Sequence, residues 1–457
     1  MMQDFTLSEL AAAAGNARRM GDDVRVSGVA IDSRSAQQGD LFVALPGTRV
    51  DGHAYLADAA ARGAAAALVS VVQDSPLPQL LVDDVLAALG QLAALNRRAF
   101  SGTLVAITGS SGKTSVKGML STVLSRQAPV LSTTGNLNNE IGVPLTLLRL
   151  SQAHRLAVVE MGARGAGHID YLCRLGMPNV SMLLNASAAH LDGFGSLQAV
   201  ADAKGEIYDR LPASGVGVVN ADSPFAGAWT RRARATGARI ISFGLQTPAS
   251  VSASCIELGA DHSRFILQHA GEREPVFLPV PGEHSVSNAL ATAAAAIACG
   301  LSLTDISAGL EQVQPVAGRM QHRPGRAGMR LIDDAYNANP ASVRAAIDVL
   351  ARCDGPRVLV LGAMLELGER SADEHADIGL YARRRGVDAL VGVGAATEPA
   401  TLAFGEGAHW FASNDAAVEA LALWSSGAAT VLVKGSRGAA MEQVLAALLQ
   451  PEESSAC

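Results

Sequence analysis

A basic surplus is absent from this sequence. Its 36 lysines and arginines are outnumbered by 43 aspartates and glutamates, for a formal net charge of −7. Nothing here provides the electrostatic footprint of a DNA- or RNA-binding protein, although one anionic ligand could still be held locally. Long apolar runs are also missing. The longest, "ALATAAAAIACGL" (289–301), is alanine-rich and falls short of the roughly 20 residues a spanning helix needs. No basic patch followed by an apolar block opens the chain, so no secretory signal is expected and a cytoplasmic location is. The five cysteines (Cys173, Cys255, Cys299, Cys353, Cys457) are scattered without a CxxC pair. Such an odd, dispersed set suits reduced thiols and argues against a disulfide frame or zinc site. Internal repeats and low-complexity arrays are absent as well.

What is present is a chain of 457 residues, 49% of them hydrophobic, enough for several domains with separate cores. Short apolar runs alternate with glycine or polar turns and helical stripes. "TLVAIT" (103–108), "LAVVEMG" (156–162), "VSMLLNA" (180–186) and "VGVVNAD" (216–222) read as strands, as do "RVLVLGAM" (357–364) and "ATVLVKGS" (429–436). Continuous apolar strands between helices predict an α/β protein whose parallel sheets are covered on both faces. Three units are expected. A smaller α/β domain spans 1–85, a central domain with a mostly parallel sheet spans 86–315, and a doubly wound α/β domain spans 316–457. A glycine-, proline- and arginine-rich stretch near 313–328 reads as the second linker.

The segment "AITGSSGKTSVKGML" (106–120) places a glycine loop between a strand and an amphipathic helix. Its two glycines, Gly109 and Gly112, are closer together than in the usual phosphate-loop signature. In that context the loop amides of Thr108, Gly109, Ser110, Ser111 and Gly112 can converge on phosphate oxygens, helped by the helix dipole. Lys113 can add charge at the β/γ-phosphates, and the Thr114 hydroxyl can ligate Mg²⁺. Read alone, the string is equally an ordinary glycine turn.

Neighbouring strands end in polar groups, and parallel sheets bind ligands at the carboxyl ends of their strands. One ends in Glu160; another ends at Asn185 with His190 just behind. Thr114 and Glu160 offer the hard oxygens that Mg²⁺ prefers. His190 could orient a carboxylate or contact a second metal. In "STTGNLNNEIGVP" (132–144), Asn136, Asn138 and Asn139 form either a plain turn or a set of neutral amides for substrate oxygens. Lys204, beside Glu206 on a helix, reads plainly as one half of a surface salt bridge.

"TGSSGKT", "EMG", "NASAAH" and "PGEHSVSNALATAAA" together resemble the signature of the Mur ligases, the ATP-dependent amide-forming enzymes of peptidoglycan assembly. The two-residue glycine spacing is normal in that family. "DSRSAQQGDLFVALPGTRVDGH" (32–53), "TGNLNNEIGVPLTLL" (135–148) and "DDAYNANPASVRAA" (333–346) resemble more narrowly the branch that attaches D-alanyl-D-alanine to UDP-N-acetylmuramoyl-tripeptide. The asparagine-proline-arginine motif of the branch that adds the third amino acid is missing.

The resemblance implies roles for each unit. The first domain would hold the UDP moiety through Ser33, Arg34, Asp51, Gly52 and His53. The central domain would bind ATP and Mg²⁺, with Asn288 facing adenine and Lys113, Glu160, His190 and Lys204 in the catalytic set. Arg319 and Asp333 would reach back to the nucleotide. Tyr336, Asn337 and Asn339 would lie near the dipeptide, and Lys434, Ser436 and Arg437 would face the same cleft. Lys204 would be carbamylated, turning a cation into an oxygen ligand. A monomer is expected. The rival readings are a folylpolyglutamate-synthetase-like ligase and a nucleotide-binding switch without ligase activity.

Overall fold

A computed structural model describes residues 2–47, 50–187, 194–423 and 428–450. It is a mixed α/β protein with three principal sheets.

In the first, strands Gly28–Ala30, Asp40–Val43, Ala66–Val69 and Gln79–Leu81 run parallel in that spatial order, and Arg18–Met20 closes the far edge antiparallel. The turn carrying Ser33 and Arg34 follows the first of these strands, and the turn carrying Asp51 to His53 follows the second. Both therefore lie toward the carboxyl edge. Helix Val85–Arg98 leads out of this sheet, with Asp84 capping its start by accepting from the Ala87 amide. One continuous apolar cluster runs from Leu7 and Leu68 through Leu89 and Leu92 of this helix to Leu147 and Leu172. Packing is thus unbroken across the expected boundary at 85.

The central sheet has nine strands. Seven are parallel: Val130–Ser132, Leu156–Glu160, Thr103–Thr108, Val180–Leu183, Val216–Asn220, Arg239–Phe243 and Val251–Leu258, in spatial order. The apolar runs of the first six are buried along nearly their whole length, as strands covered on both faces must be. Val251–Leu258 also begins an antiparallel meander with Ser263–His269 and Glu272–Leu278. Sequence reading did not single these out. Their alternating, half-exposed pattern is that of strands with one solvated face.

Helix Lys113–Ser125 buries Val116, Met119, Leu120, Val123 and Leu124 against this sheet. Burial contributes roughly 1.5–3 kcal/mol for each large apolar side chain. That anchors the helix start, where the glycine loop sits.

The last sheet orders its strands as Gln321–Pro324, Arg330–Asp334, Thr430–Lys434, Arg357–Gly362, Ala389–Val393 and Ala408–Phe411. All but the first run parallel. Helices Pro340–Leu350 and Ser371–Arg384 cover one face, and Asn414–Leu423 with Glu442–Leu448 cover the other. No described helix is long and apolar enough to cross a membrane.

Candidate active site

The glycine-loop strand Thr103–Thr108 lies between Val180–Leu183 and Leu156–Glu160. Successive strands go to opposite sides of it, so a crevice opens at their carboxyl ends. Gly112 caps the following helix with φ +81°. A Cβ there would fall 2.7 Å from Asn288 Oδ1, so glycine is required both by conformation and by close approach. Asn288, on helix Glu283–Ala298, therefore abuts the end of the loop. Asn185 holds the loop's other side: its Oδ1 accepts from the Ser111 amide (3.0 Å) and its Nδ2 donates to the Ser111 carbonyl (3.2 Å). Its carbonyl accepts from the Ser110 amide. Asn185 is thus a brace for the cradle.

Lys113 folds back so that its ammonium donates to the Gly109 carbonyl (2.7 Å). Burial favours its neutral form and pulls its pKa below the usual lysine value; Glu160 opposes that shift, and Arg319 adds to it. The Thr108 hydroxyl is buried without a partner.

Glu160 is 2% exposed, and a carboxylate so placed must be compensated. The Thr114 hydroxyl donates to its Oε2 (3.1 Å) and Asn138 Nδ2 donates to its Oε1 (2.8 Å). Lys117 Nζ lies 3.5 Å from Oε2 and donates to the Gly135 carbonyl (2.8 Å). Lys117 was not expected at the site. It stands one helical turn after Lys113, and that i, i+4 spacing was the available signal. Thr114 and Glu160 present adjacent hard oxygens, a donor set that fits Mg²⁺. Among the described residues no three His, Cys, Asp or Glu side chains cluster as a metal cage. A phosphate-bound Mg²⁺ needs only one or two carboxylates from the protein. His190 lies outside the described residues.

Lys204 corrects the plain reading of the sequence. It is 2% exposed, so it forms no surface salt bridge. Glu206 instead accepts from the Gly167 and Asp170 amides and caps helix His168–Gly176. Burial, with repulsion from Lys113, lowers the Lys204 pKa to about 7.

Ser110 to Thr114, Glu160 and Lys204 line a cleft of about 630 Å³ shared with the last sheet. Across it stand Arg319, Tyr336, Asn337, Asn339, Ser436 and Arg437, together with Leu365 to Leu367 and Gly438, which sequence reading did not name. Asn136, Asn138, Asn139, Arg164 and His168 line the central side. The Arg319 guanidinium lies 4.4 Å from the Tyr336 ring centroid, and that of Arg437 lies 6.0 Å away. Asn339 caps helix Pro340–Leu350 in a reciprocal box with Ser342, and Asn139 Oδ1 accepts from the Gly142 amide (2.9 Å). Their side-chain oxygens are therefore committed to the backbone.

Two expectations are corrected. Neither Asp333 nor Lys434 opens onto the cleft. Lys434, 1% exposed, is ion-paired with Asp334 and donates to the Asn337 carbonyl (2.9 Å). Asp333 is 5% exposed and accepts from the Ala335 amide; burial raises its pKa. The end of the strand faces inward because the linker folds over it, with the Met320 amide donating to Asp334.

The first-sheet residues are apart from this cleft, which none of them lines. Arg34 pairs with Asp32 in the open, and Ser33 is buried. His53 accepts from the Ser70 amide at Nε2 (3.0 Å), so its Nδ1–H points to Asp51 (2.7 Å). Both ring nitrogens hold the loop together. Gly52 sits where a Cβ would come 2.8–2.9 Å from the Ala44–Leu45 backbone.

Comparison with known proteins gives a consistent picture. Three family models match in chain order: the Mur ligase family catalytic domain over residues 25–97, the Mur ligase middle domain over 107–296, and the Mur ligase glutamate ligase domain over 318–437. The UDP-N-acetylmuramoyl-tripeptide–D-alanyl-D-alanine ligase of Escherichia coli K12 is 42% identical, with 100% of each chain covered. A crystal structure of MurF from Acinetobacter baumannii superposes with TM-score 0.92 at 38% identity, over 97% of this chain and 98% of that one. MurF ligase from Thermotoga maritima, solved in complex with ADP, gives 0.80 at 28% identity, over 92% and 97%. By sequence, fold and the order of its domains, the chain belongs to the Mur ligase family.

Proposed function

We propose that this enzyme joins D-alanyl-D-alanine to UDP-N-acetylmuramoyl-tripeptide at the expense of ATP, giving UDP-N-acetylmuramoyl-pentapeptide, ADP and phosphate for peptidoglycan synthesis. One observation supports this reading above the rest. The Lys113 loop and the Thr114–Glu160 pair open into the same cleft as Tyr336, Asn337 and Arg437 of the last domain. A nucleotide-binding switch has no need of that facing wall.

A carboxylate does not react unaided with an amine, because its oxygen is a poor leaving group. The tripeptide's terminal carboxylate oxygen attacks the γ-phosphorus, the bond to the bridging oxygen breaks, and ADP leaves an acyl phosphate behind. Lys113, on leaving the Gly109 carbonyl, and the amides of Gly112 and the helix start would stabilise charge on the phosphoryl oxygens, while Asn185 keeps the Ser110 and Ser111 amides to itself. The dipeptide's free amine then attacks the acyl carbon. Loss of its proton and expulsion of phosphate from the tetrahedral intermediate leave the amide. Thr114, Glu160 and His190 would hold Mg²⁺, which would supply charge neutralisation at the phosphates. Lys204 serves as a carbamate in this reading. Its pKa of about 7 leaves much of the amine unprotonated near neutrality, as reaction with CO₂ requires.

Ser33, Arg34 and the Asp51–His53 loop would take the UDP end, with His53 shaping the loop. Asn288 would meet adenine, and Arg319 would lie over the nucleotide as the last domain closes. The enzyme would act as a monomer in the cytoplasm. Phosphate release that requires both the UDP-tripeptide and D-alanyl-D-alanine tests the proposal. Equal release with ATP alone would overturn it in favour of a switch.

A further inference from the structure

The acceptor in this reaction carries a C-terminal carboxylate that takes no part in the chemistry. The cleft must nevertheless neutralise it while its amine approaches the acyl carbon. Resting on the proposed ligase activity, we propose that Arg437 is the residue that receives this carboxylate, and that Leu365 and Gly438 wall the space for the terminal methyl group.

The cations of the cleft can be sorted by what already occupies them. Lys113 is tied to the Gly109 carbonyl. Lys204 is buried beside it. Arg319 lies near enough to Lys113 to oppose its charge, which puts it on the phosphate side. Arg164 lies on the central domain, in the loop that follows Glu160. Arg319 and Arg437 both stand on the last domain beside the Tyr336 ring, at 4.4 and 6.0 Å, and of the two Arg437 is the one without a charge interaction with Lys113.

Its partnering leaves it available. The ion pair with Glu442 is long (3.4 Å), and the two side chains are 69% and 47% exposed. Such a pair is worth little and can give way to a bidentate carboxylate, which the planar guanidinium fits. The backbone beneath is nonetheless fixed. Ser436 Oγ accepts from the Leu365 amide (2.9 Å) and donates to the Ala338 carbonyl (3.1 Å). Asn414 Nδ2 donates to the Ala439 and Ala440 carbonyls. Two non-glycine residues in the left-handed region, Glu366 (φ +62°) and Ala440 (φ +50°), flank the turn. Strain of that kind persists where surrounding structure enforces it, commonly at ligand sites.

The wall is tight. A Cβ on Gly438 would come 2.8 Å from Leu365 Cδ1, and Leu365 is 48% exposed while lining the cleft. An apolar surface of that kind suits a methyl group.

The test compares D-alanyl-D-alanine with its C-terminal amide on the full-length enzyme, at saturating ATP and UDP-tripeptide. The unaltered enzyme should show a KM for the amide roughly 10- to 100-fold higher than for the acid. Arg437→Gln should raise the KM for the acid by a similar factor, leave the KM for ATP unchanged, and bring the two acceptors within about threefold. Arg437→Lys should recover part of the discrimination. If Arg437→Gln separates acid from amide as well as the unaltered enzyme does, the assignment is overturned. If the unaltered enzyme makes no product from either acceptor, the ligase reading itself fails, and that result is distinct from the first.

Discussion

Lys434 is buried against Asp334, and the same ammonium donates to the Asn337 carbonyl. One cation therefore ties the strand Thr430–Lys434 to its neighbour Arg330–Asp334 and to the loop bearing Tyr336 and Asn337. Asp334 extends the connection to the interdomain linker through the Met320 amide. Removing one member of a buried pair strands the other, at a cost of about 3–5 kcal/mol. Lys434→Met should thus lower the thermal midpoint sharply. The double variant with Asp334→Asn should recover more than half of the loss, since the asparagine oxygen can still accept from Met320. Paired melting curves check this, and equal losses in single and double variants would refute it.

Glu160 and Thr114 are expected to act in the chemical step. Glu160→Gln and Thr114→Val should each reduce kcat on the order of 10²- to 10³-fold. Thr114→Ser, which keeps the hydroxyl, should stay within about tenfold of the unaltered enzyme. Phosphate release at saturating substrates is the measurement.

Lys204 makes a prediction whose sign follows from linkage. Its folded-state pKa, about 7, lies below the ordinary value of 10.5. Between those values the unfolded chain holds a proton that the folded chain does not, so stability rises with pH across that window. The burden of the charged amine is greatest below pH 7. Lys204→Met should therefore raise the melting temperature at about pH 6 and have progressively less effect toward pH 10.

The carbamate reading of the same residue is tested separately. Lys204→Ala should lose activity and regain part of it with added short carboxylates. Full activity in the variant without rescue would remove the carbamate from the mechanism.

Gly112 has two reasons to be glycine, its φ of +81° and the proximity of Asn288 Oδ1. Gly112→Ala should destabilise by about 1–2 kcal/mol from backbone strain alone and weaken ATP binding further through the displaced loop. Adding Asn288→Ala relieves the contact but not the strain, so only part of the stability should return.

The compact glycine loop, the strand-end position of Glu160 and the three-part α/β order were legible in the sequence. Each depends on local periodicity, or on a motif whose residues are neighbours in the chain. The buried state of Lys204 was not legible, because a lysine beside a glutamate on a helix has the same pattern whether that face meets solvent or a sheet. Asp333 was expected at the nucleotide and Lys434 at the cleft because the family resemblance implied it; here the linker folds over that strand end, with the Met320 amide donating to Asp334, and both face inward. The meander at 251–278 escaped notice because its half-solvated strands lack the continuous apolar runs of the parallel core.

What the amino-acid order alone determined is the chemistry available: a compact glycine loop before a helix, a carboxylate one strand away, and an asparagine-rich loop. Tertiary structure alone decided which charges are spent on holding the protein together and which remain free for substrate. Residues 100 positions apart, such as Asp334 and Lys434, acquire partners only when adjacent strands pair. Burial then decides whether a charge must be matched within the protein or can be offered to a ligand.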